Sequence, residues 1–209
     1  VTTRVFESQL QIIDDRGYTV IPLADLIAYL QGTGAPPPPR SVVITVDDAH
    51  RSIYTEMQPL IRRHRYPVTL FVYPSAVSNA SYAMTWEQLR ELQRTGLFTI
   101  QAHTYWHPNF RVEKRRLAAA DYARFVDRQF TLSQSVLEKR LGARPDMMAW
   151  PFGIYDDELI GTARRDGYVA AFTLERRPVS KSDNLMALPR YLMTDTARGR
   201  AFERLLSGN

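Results

Sequence analysis

Two aspartates, Asp47 and Asp48, stand side by side at the end of the apolar run Val42-Val43-Ile44-Thr45-Val46, and His103 and His107 follow a second such run at a spacing of four. A carboxylate pair beside a buried-type strand is costly unless it is paired, hydrogen-bonded or bound to a cation. Two imidazoles four residues apart lie on one side of a helical turn or compact loop, as two-point metal ligation needs. Each signal has a plainer reading alone: Asp suits a turn or a helix N-cap at a strand-to-helix junction, and a His-x3-His pair arises by chance. At corresponding ends of two strands they together predict three metal ligands, one carboxylate and two imidazoles, with open positions for water and substrate. The second carboxylate is then free to take a proton from water that the cation acidifies. Pro151-Phe152-Gly153 ends a further strand, either as an ordinary turn or as a fixed backbone N–H facing the oxygen of a tetrahedral intermediate.

Composition narrows the ligand supply. The chain has 209 residues, 44% hydrophobic and 23% charged, with a net charge of +5, four histidines and no cysteine. Disulfide frameworks, thiolate nucleophiles and cysteine-based metal sites are excluded, so any metal sits on His and carboxylates. No apolar run approaches the roughly 20 residues of a membrane span, and Val1-Thr2-Thr3-Arg4 does not open a signal peptide. Of 27 basic residues only Lys114, Lys139 and Lys181 are lysine, which leaves 24 arginines spread along the chain. Without a concentrated basic arm or stripe they read as solvated helix faces, and nucleic acid is not an expected partner.

The elements that must carry these residues alternate. Periodicity predicts helices over about 6–13, 23–30, 52–63, 85–96, 121–141, 156–165 and 197–206. It predicts strands at 18–21, 41–46, 68–73, 98–102, 147–150, 169–173 and 190–193. Thr85 with Gln88 forms a capping box, and Gly142 stops the long helix. Residues 32–40, with four consecutive prolines, form a stiff loop inside one domain spanning 1–209. Such alternation implies a parallel sheet or barrel with covering helices, whose ligands gather at strand C-terminal ends.

Three segments then bring a family into view. Thr45-Val46-Asp47-Asp48-Ala49, His103-Thr104-Tyr105-Trp106-His107-Pro108 and Ala149-Trp150-Pro151-Phe152-Gly153 resemble, in order and spacing, the first three motifs of the polysaccharide deacetylases, carbohydrate esterase family 4 or the NodB homology domain. Pro67 to Val72 is similar to the strand after the first motif, and the leading segment up to the proline run resembles the poly-N-acetylglucosamine deacetylase subgroup. The resemblance implies a distorted (β/α) barrel of about seven parallel strands. It implies Asp47 as general base, Asp48, His103 and His107 as ligands of one divalent metal, and the Phe152 N–H as oxyanion donor. Zinc is the first expectation for that metal, and the ligand set also allows nickel, cobalt or ferrous iron. The implied reaction removes N-acetyl groups from an N-acetylglucosamine polymer, outside the cytoplasm, leaving free amine and acetate.

Departures from the family pattern set further expectations. Ala49 replaces the usual Gly, and Ala reaches positive φ only at a cost. Many members carry an Arg where Ala149 stands; Arg190, in Leu188-Pro189-Arg190, is the candidate to orient the base instead, with an ordinary surface Arg as the alternative. No His follows His107 to protonate the leaving amine. Some members carry that acid on a strand before the first motif, so either the barrel is expected to lack one strand upstream of Val1 or another group serves as the acid. His50, Tyr105, Trp106, Trp150 and Pro151 are the candidates for substrate contacts, against helix-start, turn and core-packing roles. The same residues would serve an amidase on a small non-sugar amide, or persist in a catalytically impaired carbohydrate-binding homologue.

Overall fold

A computed structural model describes residues 1–208. Five strands, β3 (Ile44–Asp47), β4 (Val68–Val72), β5 (Phe98–Ala102), β6 (Met147–Ala149) and β7 (Ala170–Phe172), form one parallel sheet in that spatial order. Strand order follows chain order without reversal, so the sheet winds in one direction into a curled half-barrel, unlike a doubly wound sheet. A separate parallel pair, β1 (Thr19–Val20) and β2 (Ser41–Val42), sits ahead of it. The main sheet therefore holds five strands where about seven were expected.

Two of the differences have clear causes. The expected strand at 41–46 divides at Val43: its first half pairs with β1 and its second half with β4. The expected strand at 190–193 does not form. Pro189 removes a ladder donor there, and the segment's sheet contact is a single bridge between Leu188 and Phe172.

Helices cover the outer face. After one π-helical turn (Ile53–Met57) come α3 (Gln58–His64), α4 (Trp86–Arg94), α5 (Phe110–Arg116), α6 (Ala119–Leu141) and α7 (Asp157–Arg165), flanked by α1 (Thr3–Asp15), α2 (Leu23–Leu30) and α8 (Arg200–Leu206). The Thr85 capping box is made, and Gly142 ends α6 at φ 83°. Helix α5 was not anticipated; its local signal is Asn109, whose side chain accepts from the Val112 N–H.

Strand alternation divides the core. Val68, Leu70 and Val72 of β4, Phe98 and Ala102 of β5, Met148 of β6 and Ala171 of β7 pack outward into the large cluster under the helices. Phe71, Met147, Ala149, Ala170 and Phe172 point the other way, into a second cluster with Leu23, Ile27 and Leu188. By the same two-residue period Asp47 lies on the inner face, and so does His103, in step with Thr99 and Gln101. Local alternation thus delivers base and ligand candidates to the concave side.

Candidate active site

Asp47 is the last residue of β3, and the chain then turns through two consecutive left-handed residues, Asp48 (φ 76°) and Ala49 (φ 57°). Ala in that region costs about 1–2 kcal/mol. Backbone bonds hold the turn: Asp48 N–H donates to Phe71 O (3.1 Å), and Ala49 O accepts from Met84 N–H (2.9 Å). The departure from Gly therefore leaves the left-handed turn in place.

His103 follows β5 directly, 2% exposed, with its N–H bonded to Val72 O. Its Nδ1 lies 2.8 Å from Ala149 O, which puts the ring proton on Nδ1 and leaves a lone pair on Nε2. That Nε2 stands 3.6 Å from Asp48 Oδ1, and His107 Nε2 stands 3.8 Å from the same oxygen. His107 is turned in by a left-handed backbone (φ 63°), with its N–H on Thr104 Oγ1. Burial, followed by His103 alongside, pulls the His107 imidazole below its usual range against the opposing pull of Asp48 and Asp47.

These separations are too long for hydrogen bonds. Two bonds of about 2.0–2.2 Å to a tetrahedral cation put ligand atoms roughly 3.4 Å apart. The candidate ligand atoms of Asp48, His103 and His107 all lie within 4.8 Å of one another, so the donor set and its spacing fit a divalent ion. The Ala149 carbonyl on the far nitrogen of His103 is the kind of outer contact that orients a metal-ligating imidazole.

Arg190 reaches Asp47 across the mouth of the half-barrel. Nη1 and Nη2 donate to Oδ1 (2.9 Å) and Oδ2 (3.0 Å), Nη1 also to Thr45 Oγ1 (3.1 Å), and Nε to Thr173 O (3.2 Å). The guanidinium lies over the Phe71 and Phe172 rings. It thus ties the β7 side of the sheet to β3, where no strand does so. Burial pushes the Asp47 carboxyl up, but the Arg190 charge, then His103, the Arg190 hydrogen bonds and His107 outweigh it, and the net direction is down. Asp47 Oδ2 is 3.9 Å from His103 Nε2, beside the ligand cluster.

The third motif forms a 3-10 turn over Pro151–Gly153, with Phe152 at φ 56°. Its bonds are Gly153 N–H to Trp150 O and Ile154 N–H to Pro151 O, so neither uses the Phe152 N–H. The Phe152 ring, 56% exposed, meets His107 edge-on at 4.5 Å. Pro151 is buried. Trp150 is 1% exposed, with Nε1 donating to Met186 O and its ring against Phe130 and Tyr155, so it offers no open face to a sugar. Tyr105 is half-buried, and its carbonyl accepts from Ser75 N–H. Trp106 is 41% exposed but leans on Phe125. His50 is exposed, next to Asp47 in a cleft of about 390 Å³ that Arg190 and Leu192 also line.

Tyr73 and Tyr82 were not singled out from the sequence. Tyr73 is the first residue beyond β4, its ring 5.4 Å from His107, and its hydroxyl is bonded to that of Tyr82. Burial, then Tyr82 and Asp48, pushes its phenol up. The available signal was position: like Asp48 and His103, it directly follows a strand of the main sheet.

The sequence profile of the polysaccharide deacetylases matches residues 34–171, the stretch that contains all three motifs. The chain belongs to the polysaccharide deacetylase family. Relatives named poly-beta-1,6-N-acetyl-D-glucosamine N-deacetylase include one from Staphylococcus aureus (strain MRSA252), 26% identical over 211 residues, covering 99% of this chain and 70% of the relative. Another, from Staphylococcus epidermidis, is 24% identical over 217 residues, covering 99% and 71%. The fold is shared with the Streptococcus pyogenes deacetylase PplD in complex with acetate, at TM-score 0.86, 22% identity and coverage of 99% and 87%. It is shared also with IcaB from Ammonifex degensii, at TM-score 0.82, 22% identity and coverage of 99% and 88%. Family membership agrees with the half-barrel and with the segments that carry the ligand candidates.

Proposed function

We propose that this family member is a divalent-metal-dependent N-deacetylase of a poly-β-1,6-N-acetylglucosamine-type polymer, acting outside the cytoplasm. The observation that carries the reading is an Arg-clamped carboxylate, Asp47, within 3.9 Å of a ligand histidine in the Asp48–His103–His107 cluster. The names of the staphylococcal relatives support the polymer, and through it the compartment. Among the described residues no helix is long and apolar enough to cross a membrane.

Asp48, His103 and His107 would hold the ion, His103 through the nitrogen that Ala149 O leaves free. A bound divalent ion supplies Lewis acidity towards water and the acetamide oxygen. Asp47, kept anionic and fixed at both oxygens by Arg190, accepts a proton from the attacking water. The Phe152 N–H donates to the acetamide oxygen as negative charge develops there. Return of that proton from Asp47 to the amide nitrogen allows the C–N bond to break, leaving an amine on the sugar and releasing acetate.

The test is acetate release from N-acetylglucosamine oligomers by protein loaded with zinc, nickel, cobalt or ferrous iron. Asp48→Ala is expected to lose the metal, whereas Asp47→Asn keeps it and loses activity. Undiminished acetate release by Asp47→Asn, or negligible metal uptake by the unaltered protein, would overturn the assignment.

A further inference from the structure

One flank of the ligand cluster is aromatic and carries hydroxyl groups that the proposed chemistry does not use. Tyr73 stands with its ring 5.4 Å from His107 and 6.4 Å from His103. Its hydroxyl bonds the hydroxyl of Tyr82, whose ring lies 6.1 Å from that of His50 with 13° between the planes. From His107 outward, Tyr73, Tyr82 and His50 make one continuous wall.

Backbone contacts hold this wall in place. Arg51 N–H donates to Tyr82 O (2.8 Å), Met84 N–H to Ala49 O (2.9 Å), and His50 and Ala83 form an antiparallel bridge. The loop carrying Tyr82 is closed on itself by Ser78 N–H to Met84 O and by Trp86 N–H to Ser78 Oγ. Such a loop presents side chains at low ordering cost to a ligand.

The hydrogen-bond inventory leaves capacity over. Two phenols sharing one bond keep one O–H and several lone pairs unspent, and among the described residues the two hydroxyls bond only each other. His50 Nδ1 accepts from the Ser52 backbone N–H (3.2 Å), so the ring proton sits on Nε2, a further donor not committed to Ser52. Tyr82 is among the exposed aromatics. Ring faces with neutral donors and acceptors at their edges suit a sugar, which is apolar on its faces and hydroxylated on its rim.

We infer that Tyr73, Tyr82 and His50 form a binding subsite for the sugar unit adjacent to the one deacetylated, hydrogen-bonding its hydroxyl or acetamide groups. The inference rests on the polysaccharide N-deacetylase reading above and adds a chain-length preference to it. Binding there costs no charge neutralisation and is expected to be insensitive to salt.

The experiment uses zinc-loaded protein carrying Asp47→Asn, with and without Tyr73→Phe and Tyr82→Phe, and measures Kd for N-acetylglucosamine and its β-1,6-linked pentamer by calorimetry. Pentamer affinity is expected to fall about five- to tenfold in the double Phe variant, with monosaccharide affinity unchanged. In the Asp47 background, KM for the pentamer rises by the same factor while kcat stays within about twofold. Zinc content and Tm, compared with the parent, report whether the variants fold. Equal pentamer affinity with and without the tyrosine hydroxyls overturns the subsite, as does an equal loss for monosaccharide and pentamer. If Asp47→Asn binds no oligomer and the unaltered protein releases no acetate, the deacetylase reading fails and the subsite with it.

Discussion

Arg190 holds Asp47 at both carboxylate oxygens although 143 residues separate them. The pair is part-buried, stacked over Phe71 and Phe172, and placed where the curled sheet has no strand joining β7 to β3. It therefore sets the orientation of the proposed base and ties two edges of the half-barrel together.

Arg190→Lys is expected to lower kcat by about ten- to a hundredfold, because an ammonium is a point charge that cannot fix both oxygens of Asp47. Metal affinity should stay close to that of the parent, since Arg190 contacts none of the candidate ligands. Metal titration alongside acetate release separates the two effects, and a Lys variant of unchanged kcat would show that the fork geometry is dispensable.

Trp150 and Trp106 should differ sharply in what their removal costs. Trp150→Ala empties a fully buried site and strands the Met186 carbonyl, at a cost of about 3–5 kcal/mol. Trp106→Ala removes a part-exposed ring leaning on Phe125 and should cost about 1 kcal/mol or less. Thermal melts of both variants check this, and equal losses would contradict the assignment of Trp150 to the core.

Gly153→Ala is expected to destabilise the third motif. Gly153 has φ +66°, and a Cβ there would meet Leu174 N at 3.1 Å and the Leu174 side chain at 3.2 Å. The combined strain is about 1–3 kcal/mol and bears on the turn that holds the Phe152 N–H. Activity should therefore fall further than the Tm shift alone explains, as measured by kcat at a temperature where the variant is fully folded.

Asp166→Asn is expected to stabilise the protein at neutral pH. Asp166 ends α7, its Oδ2 is buried without a hydrogen-bond partner, and burial, then Asp127, pushes its carboxyl up. A raised carboxyl favours the protonated form in the folded state, so the penalty is full above the folded pKa and vanishes below the unfolded one. The helix C-terminus, which disfavours negative charge, acts in the same direction. Melts at about pH 7 should show Tm higher by roughly 1–3 °C, a gain lost near about pH 3. A gain that persisted in acid would mean that charge is not its origin.

Much of the site was legible in local order along the chain. The Asp pair, the His pair and the Pro-Phe-Gly turn each end a strand, and strand ends can be read because apolar runs, two-residue alternation and turn residues are properties of neighbouring residues. The absence of cysteine, with four histidines in all, limited the candidate metal ligands to few choices. What only the tertiary structure decided depends on contacts across the half-barrel. Arg190 could be nominated to orient Asp47 but not told apart from an ordinary surface Arg, and Trp150, inside a motif, could not be assigned to core or groove. The strand expected at 190–193 yields to Pro189 and to the pull of the Arg190 side chain towards Thr45 and Asp47. Tyr73 and Tyr82 come together through a loop whose path no periodicity encodes. Local pattern determines which residues end strands; which of them meet is set by sheet curvature and through-space packing.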